Sequence, residues 1–124
     1  MNNRDLNAEV AKMLGYSSVY MQGMEFWQRE NGPADFLPLY SERIDVAIDA
    51  AETICKTRRM FWRAHSLADI VNDDTDYWFG FTRRGFTGWN GRSEYEGHGP
   101  TLPIAICHAI LELSKKNEEE TDSA

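Results

Sequence analysis

The sequence predicts a small α+β fold: an antiparallel β-meander of three to four strands layered against helices, an αβα sandwich in the order helix, loop, helix, meander, helix. Three observations predict it. Three segments carry apolar residues at helical spacing. The stretch between the second and third is aromatic, glycine-rich and partly alternating, which is strand chemistry. A chain of 124 residues suffices for one ordinary domain and not for two. The expected division is one domain over residues 1–116 and an acidic disordered tail over 117–124.

The first helix is expected from Asp5 to Leu14. Leu6, Val10, Met13 and Leu14 fall on one face, with Asp5 as N-cap and Gly15 as stop. Tyr16 to Pro38 reads as a long irregular loop. It contains Gly23 and the turn signal Asn31-Gly32-Pro33, and Phe26, Trp27 and Phe36 are expected to pin it to the body. The second helix starts at a Ser41 cap, with Glu42 and Asp45 in its first turn. Ile44, Ala47, Ile48, Ala51 and Cys55 form its stripe, widened by Ala50 and Ile54, and basic residues from Lys56 to Arg58 suit its end.

A β region follows. Arg59 to His65 alternates, with Met60, Trp62 and Ala64 on one face. Tyr77 to Thr82 is apolar on both parities, the pattern of a strand covered on both faces. Arg84-Gly85 reads as a turn, Phe86 to Trp89 as a strand, Asn90-Gly91 as a hairpin turn and Ser93 to Glu96 as the returning strand. The last helix is expected from about Leu102 to Lys116, capped by Thr101, with Pro103 tolerated in its first turn.

Composition excludes several classes. At 42% hydrophobic and 27% charged, the chain has a globular balance rather than a disordered one. Its longest apolar stretch, near Leu102 to Leu111, is interrupted by Pro103 and His108 and falls short of the roughly 20 residues a membrane span needs. The N-terminus lacks an apolar signal core, so a cytoplasmic location is expected. The net charge is −7, and setting aside the four tail acids Glu118, Glu119, Glu120 and Asp122 leaves −3 for the body. That balance argues against non-specific binding to nucleic acid. Cys55 and Cys107 are expected as two reduced buried thiols, with a disulfide the alternative.

Three short blocks, in order, resemble a known family. They are Leu6-Asn7-Ala8-Glu9-Val10 with Met13 and Gly15, Pro38-Leu39-Tyr40-Ser41-Glu42-Arg43-Ile44-Asp45-Val46-Ala47, and Pro100-Thr101-Leu102-Pro103-Ile104-Ala105-Ile106-Cys107. The middle block has the form Pro-x-Tyr-Ser-x-x-Ile, and the last opens a helix of the Pro-Leu-Ala-Ile-Cys kind. Together they resemble the phage ABA sandwich domain, a family of small bacteriophage and prophage proteins. The resemblance implies a sheet layered between helices and a phage or prophage source, hence a host-cytoplasm location. It supplies no activity and no catalytic residues. Pro103 departs from it, because the family more often has a residue there that starts the helix freely.

No catalytic motif stands out, and no cofactor or metal site is expected. Asn72-x-Asp74-x-Asp76 begins like a calcium loop, but Tyr77 stands where glycine is required and Arg83 where the closing glutamate should be. Cys107 and His108 are neighbours on a helix, so their side chains diverge, although His65 or His98 could approach Cys107 through the fold. Glu94 and Glu96 read as surface carboxylates. Gly97-His98-Gly99-Pro100, before the last helix, is a candidate anion loop against a helix N-terminus.

The sharpest feature is a basic meander in an acidic protein. Lys56, Arg58, Arg59, Arg63, Arg83, Arg84 and Arg92 lie between Lys56 and Arg92, while the four acids of that stretch, Asp69, Asp73, Asp74 and Asp76, cluster in one loop. Arginine grips phosphate through a planar fork, and the interleaved Trp62, Trp78, Phe86 and Trp89 offer rings on which a base can stack. The opposing reading is that arginines decorate a surface sheet and the aromatics fill the core. The expected ligand-binding set is Arg63, Arg83, Arg84, Arg92, Trp62, Trp89 and His98.

The expected function is therefore a non-enzymatic phage protein that sequesters a small anionic, nucleotide-like ligand, such as a nucleotide signal of host antiphage defence. The alternative is a module that binds and modulates a host protein through the Tyr16 to Pro38 loop and the acidic tail. A nucleotide hydrolase that holds a metal in the acidic loop is the third reading. Three helices are few for covering both sheet faces, so a homo-oligomer, most simply a two-fold dimer, is expected.

Overall fold

In the structure, a computed structural model that describes residues 2–66, 77–83 and 95–122, the first helix, α1, spans Asn3–Met13. Its cap is Asn2 rather than Asp5: the Asn2 carboxamide oxygen accepts from the Asp5 amide at 2.8 Å. Asp5 itself sits in the first turn, where its charge suits the helix dipole. Gly15, at φ +90°, takes the left-handed position that ends the helix, as expected.

The segment read as an irregular loop is instead an antiparallel hairpin. Strand β1, Tyr16–Met21, pairs with β2, Met24–Arg29, in unbroken register from Tyr16↔Arg29 to Met21↔Met24. Gln22 and Gly23 both have positive φ, at 53° and 78°, which is the two-residue type I′ turn that matches strand twist. Asp35 then returns to bridge Trp27, exchanging two backbone hydrogen bonds of 2.7 and 2.9 Å. Trp27 is buried and its indole donates to Glu25 at 2.8 Å, so its expected pinning role holds, while Phe26 and Phe36 stack at the surface.

The second helix, α2, spans Ile44–Arg58. Ser41 does not cap it. Arg43 is the residue at the cap, without a side-chain capping bond, and Ser41 is buried with its amide donating to the Asn7 carboxamide oxygen at 2.7 Å. The buried stripe is Ala47, Ala50, Ala51 and Ile54, rotated toward the residues expected only to widen it; Ile44 is exposed. Arg59 closes the helix in the left-handed region at φ 54°.

Strands β3, Phe61–Ser66, β4, Tyr77–Thr82, and β5, Tyr95–Gly99, form an antiparallel sheet in the order β3-β4-β5. The expected strand from Phe86 to Trp89 and the turns at Arg84-Gly85 and Asn90-Gly91 lie outside the described residues. The returning strand is β5, which takes in the Gly97-His98-Gly99 segment expected as a loop. Helix α3, Leu102–Asp122, extends into the segment expected as a tail.

α3 lies against β4 and β5, and α1 and α2 pack in turn on α3. Ala105, Ile106, Cys107, Ala109, Ile110 and Leu113 are all fully buried, as befits a helix enclosed by neighbours on several sides. Gly97 sets how closely it docks. A Cβ there would meet the Ala105 carbonyl oxygen, the Ala109 amide nitrogen and, at 2.8 Å, the His108 carbonyl carbon. No residue but glycine lets the strand approach the helix backbone so closely. The chain is thus a small α+β protein, with three helices and two small antiparallel sheets among the described residues. Among the described residues no helix is long and apolar enough to cross a membrane.

Candidate functional site

The ladder of the three-stranded sheet sorts its side chains by face. Gly97 and Gly99 abut α3, and they pair in register with Phe79 and Tyr77. Residues opposite one another across a ladder share a face, so Trp62, Ala64, Tyr77, Phe79, Phe81 and Tyr95 point to the helix side. Burial agrees: Phe79 and Phe81 are fully enclosed, in edge-to-face contact at 5.2 Å, and Trp62 stacks on Phe79 at 5.2 Å. Trp62, expected as a base-stacking ring, is therefore a packing residue. Both parities of β4 are aromatic, so the sequence by itself could not say which faced the helices.

The opposite face carries Arg63, Trp78, Gly80, Glu96 and His98. Arg63 pairs with Gly80, Gly80 with Glu96, and Trp78 with His98. The Arg63 guanidinium carbon lies 5.5 Å from the centre of a Trp78 ring, within cation–π range. Arg63 and Trp78 are half-buried, and Glu96 and His98 are exposed. A planar cation, an indole, an imidazole and a carboxylate thus share one sheet face, and Gly80 leaves the middle of the Arg63–Glu96 row without a side chain. Such a surface can stack an aromatic ring and donate to an anion through Arg63.

The structure divides the rest of the expected set. Arg83 extends past the end of β4 on the helix side, its guanidinium carbon 5.9 Å from the Tyr95 ring. It lies three residues along β4 from the partner of Arg63, about 10 Å away, and on the other face. Arg63 and His98 share the outer face, while Arg83 does not join them. Arg84, Trp89 and Arg92 lie outside the described residues, as do Glu94 and the acidic loop Asp69, Asp73, Asp74 and Asp76. Trp78 was absent from the expected binding set; its direct pairing with His98 emerges only from the register.

The start of α3 is a poor anion site. Thr101 caps it, its hydroxyl accepting from the Ile104 amide at 3.4 Å and its carbonyl from the Ala105 amide at 3.1 Å. Pro103 has no amide hydrogen, so of the first four positions only Leu102 retains a free donor. The depression beside it, about 460 Å³, is walled by Ile44, Tyr77, Pro100, Leu102 and Pro103 and is mainly apolar.

Both cysteines are free. Burial pushes the Cys107 thiol up to about 12 and, with Glu52 adding to it, the Cys55 thiol up to about 11. Thiols so firmly protonated are packing groups rather than activated nucleophiles. Among the described residues, no three His, Cys, Asp or Glu side chains gather as a metal cluster would.

Comparison with protein-family models, curated proteins and solved structures gives no match for this chain. The resemblance to the phage ABA sandwich domain therefore rests on the three sequence blocks that suggested it.

Proposed function

We propose that the protein is a non-enzymatic binder of a small anionic, nucleotide-like ligand, held on the outer face of its three-stranded sheet. The supporting observation is Arg63 set over Trp78, with His98 directly across the ladder on the same face. A nucleotide combines a flat ring with phosphate, and this face combines an indole with a guanidinium and an imidazole. Arg63 and His98 grip the phosphate and Trp78 stacks the base. Sequestration of a nucleotide signal used in host antiphage defence is the finer form of the proposal, and its support is the resemblance to phage proteins alone.

The test is a thermal-shift screen of the purified protein against mono-, di- and cyclic nucleotides. A ligand at 100 times its dissociation constant stabilises the folded state by about 2.7 kcal/mol, a shift well above noise. Arg63→Gln and Trp78→Leu should abolish the shift, and Arg83→Gln should leave it. A hit recovered chemically intact after heat release supports sequestration; a changed ligand would turn the reading to hydrolysis. A flat screen sinks the proposal.

A second reading, a module that binds a host protein, has its own observation. Met21, Met24 and Phe36 are 47%, 51% and 64% exposed around the hairpin and the segment that follows it, a run of apolar surface of the kind that marks interaction sites. Co-purification of one host protein, lost in a Met21→Ser/Met24→Ser variant, would favour it.

A further inference from the structure

We infer that the outer edge of β1, which no described strand covers, is the seam of a two-fold homodimer, two copies pairing β1 against β1 in antiparallel register centred on Ser18. The argument starts from which backbone groups point outward. In a two-residue hairpin the residues flanking the turn bond each other, so Met21, Val19 and Ser17 spend their amides and carbonyls on β2. Glu25, Trp27 and Arg29 then face the outer edge of β2, as the Trp27–Asp35 bonds confirm. By the same alternation Tyr16, Ser18 and Tyr20 present their amides and carbonyls to the outer edge of β1.

The two edges are treated differently. Asp35 covers β2 at Trp27. Among the described residues no backbone group is placed against β1, and Ser17, Ser18, Tyr20 and Met21 are exposed, Tyr20 by 72%. Proteins usually blunt a free edge with lysine, proline or a bulge. β1 reads Tyr-Ser-Ser-Val-Tyr-Met, with no charge and no proline, and its register with β2 is continuous. An uncharged, unbroken edge of aromatic and small residues is built to receive a strand.

The occupant is a second copy because the edge is complementary to itself. Centring the two-fold axis on Ser18 sets Ser18 against Ser18 and Tyr16 against Tyr20 of the second copy, twice. All three outward residues of each copy are then engaged, giving six backbone hydrogen bonds; every other symmetric register engages fewer. Charge also fits. Arg29 lies 4.6 Å over Tyr16, and the Tyr20 hydroxyl donates to Glu25 at 2.9 Å. In the four-stranded sheet each outer row therefore runs Arg29, Tyr16, Tyr20 of the second copy, Glu25 of the second copy, and since each Glu25 is also paired with Arg4 of its own copy at 2.7 Å, no like charges meet across the seam. The axis row, Trp27, Ser18, Ser18, Trp27, is uncharged, so overall acidity is not concentrated at the seam.

Sedimentation velocity of the full chain across a concentration series tests this. The expected result is a concentration-dependent dimer, with Ser18→Lys raising its dissociation constant by about 100-fold or more, because two like charges then face each other on the axis. A register test stands beside it. Ser18→Cys should form a disulfide-linked dimer rapidly under mild oxidation, since paired residues lie within the roughly 4.4–6.8 Å Cα separation a disulfide spans. Tyr20→Cys should not, since the register separates the two Tyr20 positions by about 14 Å along the strands. The wild type, with Cys55 and Cys107, sets the background. A wild-type monomer at the highest soluble concentration, a dimer untouched by Ser18→Lys, or equal cross-linking of the two cysteine variants would each overturn the inference.

Discussion

Gly97→Ala is the substitution whose consequence the structure specifies most tightly. The new methyl would collide with the Ala105 carbonyl oxygen, the Ala109 amide nitrogen and the His108 carbonyl carbon. All three are backbone atoms of α3, so no side chain can swing away. The helix must lift from the sheet by about an ångström to restore ordinary contact, loosening the layer that holds Ile106, Ile110 and Leu113. Overpacking of this kind costs about 1–3 kcal/mol, and a backbone clash on a central helix belongs at the top of that range. At about 4 °C per kcal/mol for a domain of this size, the loss is about 12 °C in Tm. Gly99→Ala is the internal comparison. Its methyl meets the Ile104 Cγ2 at 2.6 Å, with the Ile104 Cβ and the Ala105 amide nitrogen at 3.1 Å; its backbone contact is looser than those at Gly97, so its loss should be the smaller. Differential scanning calorimetry of both variants decides. A Gly97→Ala protein that melts within about 2 °C of the wild type refutes the packing argument. If that variant also lost nucleotide affinity, the anion-loop reading of Gly97-His98-Gly99 would return.

Other expectations follow from single contacts. Asn7→Ala leaves the buried Ser41 amide without its 2.7 Å acceptor and should cost about 1–3 kcal/mol in chemical denaturation. Hydrogen bonds from Tyr20 and Trp27, with the Arg4 charge, hold the Glu25 carboxyl below its ordinary 4.5. The stabilisation is therefore complete above 4.5 and disappears as pH falls through the lower folded value; the Trp27 indole N–H resonance should titrate with a midpoint under 4.5, and a midpoint at or above it would contradict these contacts to Glu25. In thiol labelling of the native protein, the fully buried Cys107 should react only at the global unfolding rate and the half-buried Cys55 sooner; fast labelling of Cys107 would show that α3 is not enclosed as described.

Helices were legible because burial writes its period into them. α1 and α3 start within two residues of where apolar spacing places them, and α2 within three, at Ile44 rather than Ser41. The caps were less so, because Asp5 and Ser41 have capping chemistry wherever they stand, and only the fold shows that Asn2 precedes the first and that Asn7 engages the second. The β1–β2 hairpin was missed for a physical reason. Its turn is Gln22-Gly23 rather than Asn-Gly, and the nearby Asn31-Gly32-Pro33 is a louder signal that marks the end of the hairpin, not its centre. β5 was misread because two of its five residues are glycine, which weakens strand propensity; their purpose, contact with the α3 backbone, belongs to tertiary structure.

The candidate site shows the same limit in sharper form. A stretch reading Tyr77-Trp78-Phe79-Gly80-Phe81 offers aromatic rings to either face, and arginines flank it on both parities. Composition could propose a base-and-phosphate surface but could not choose its members. Gly97 makes the choice. Once that residue is seen against α3, the register carries the decision across the sheet: Phe79 goes inward with Trp62, and Trp78 goes outward with Arg63 and His98. A glycine on the helix side thus determines which tryptophan lies on the outer face. The same glycine lets β5 lie close against the α3 backbone. Substitutions on the helix side should therefore alter stability first, and substitutions of the exposed Glu96 and His98 on the outer face should change stability little.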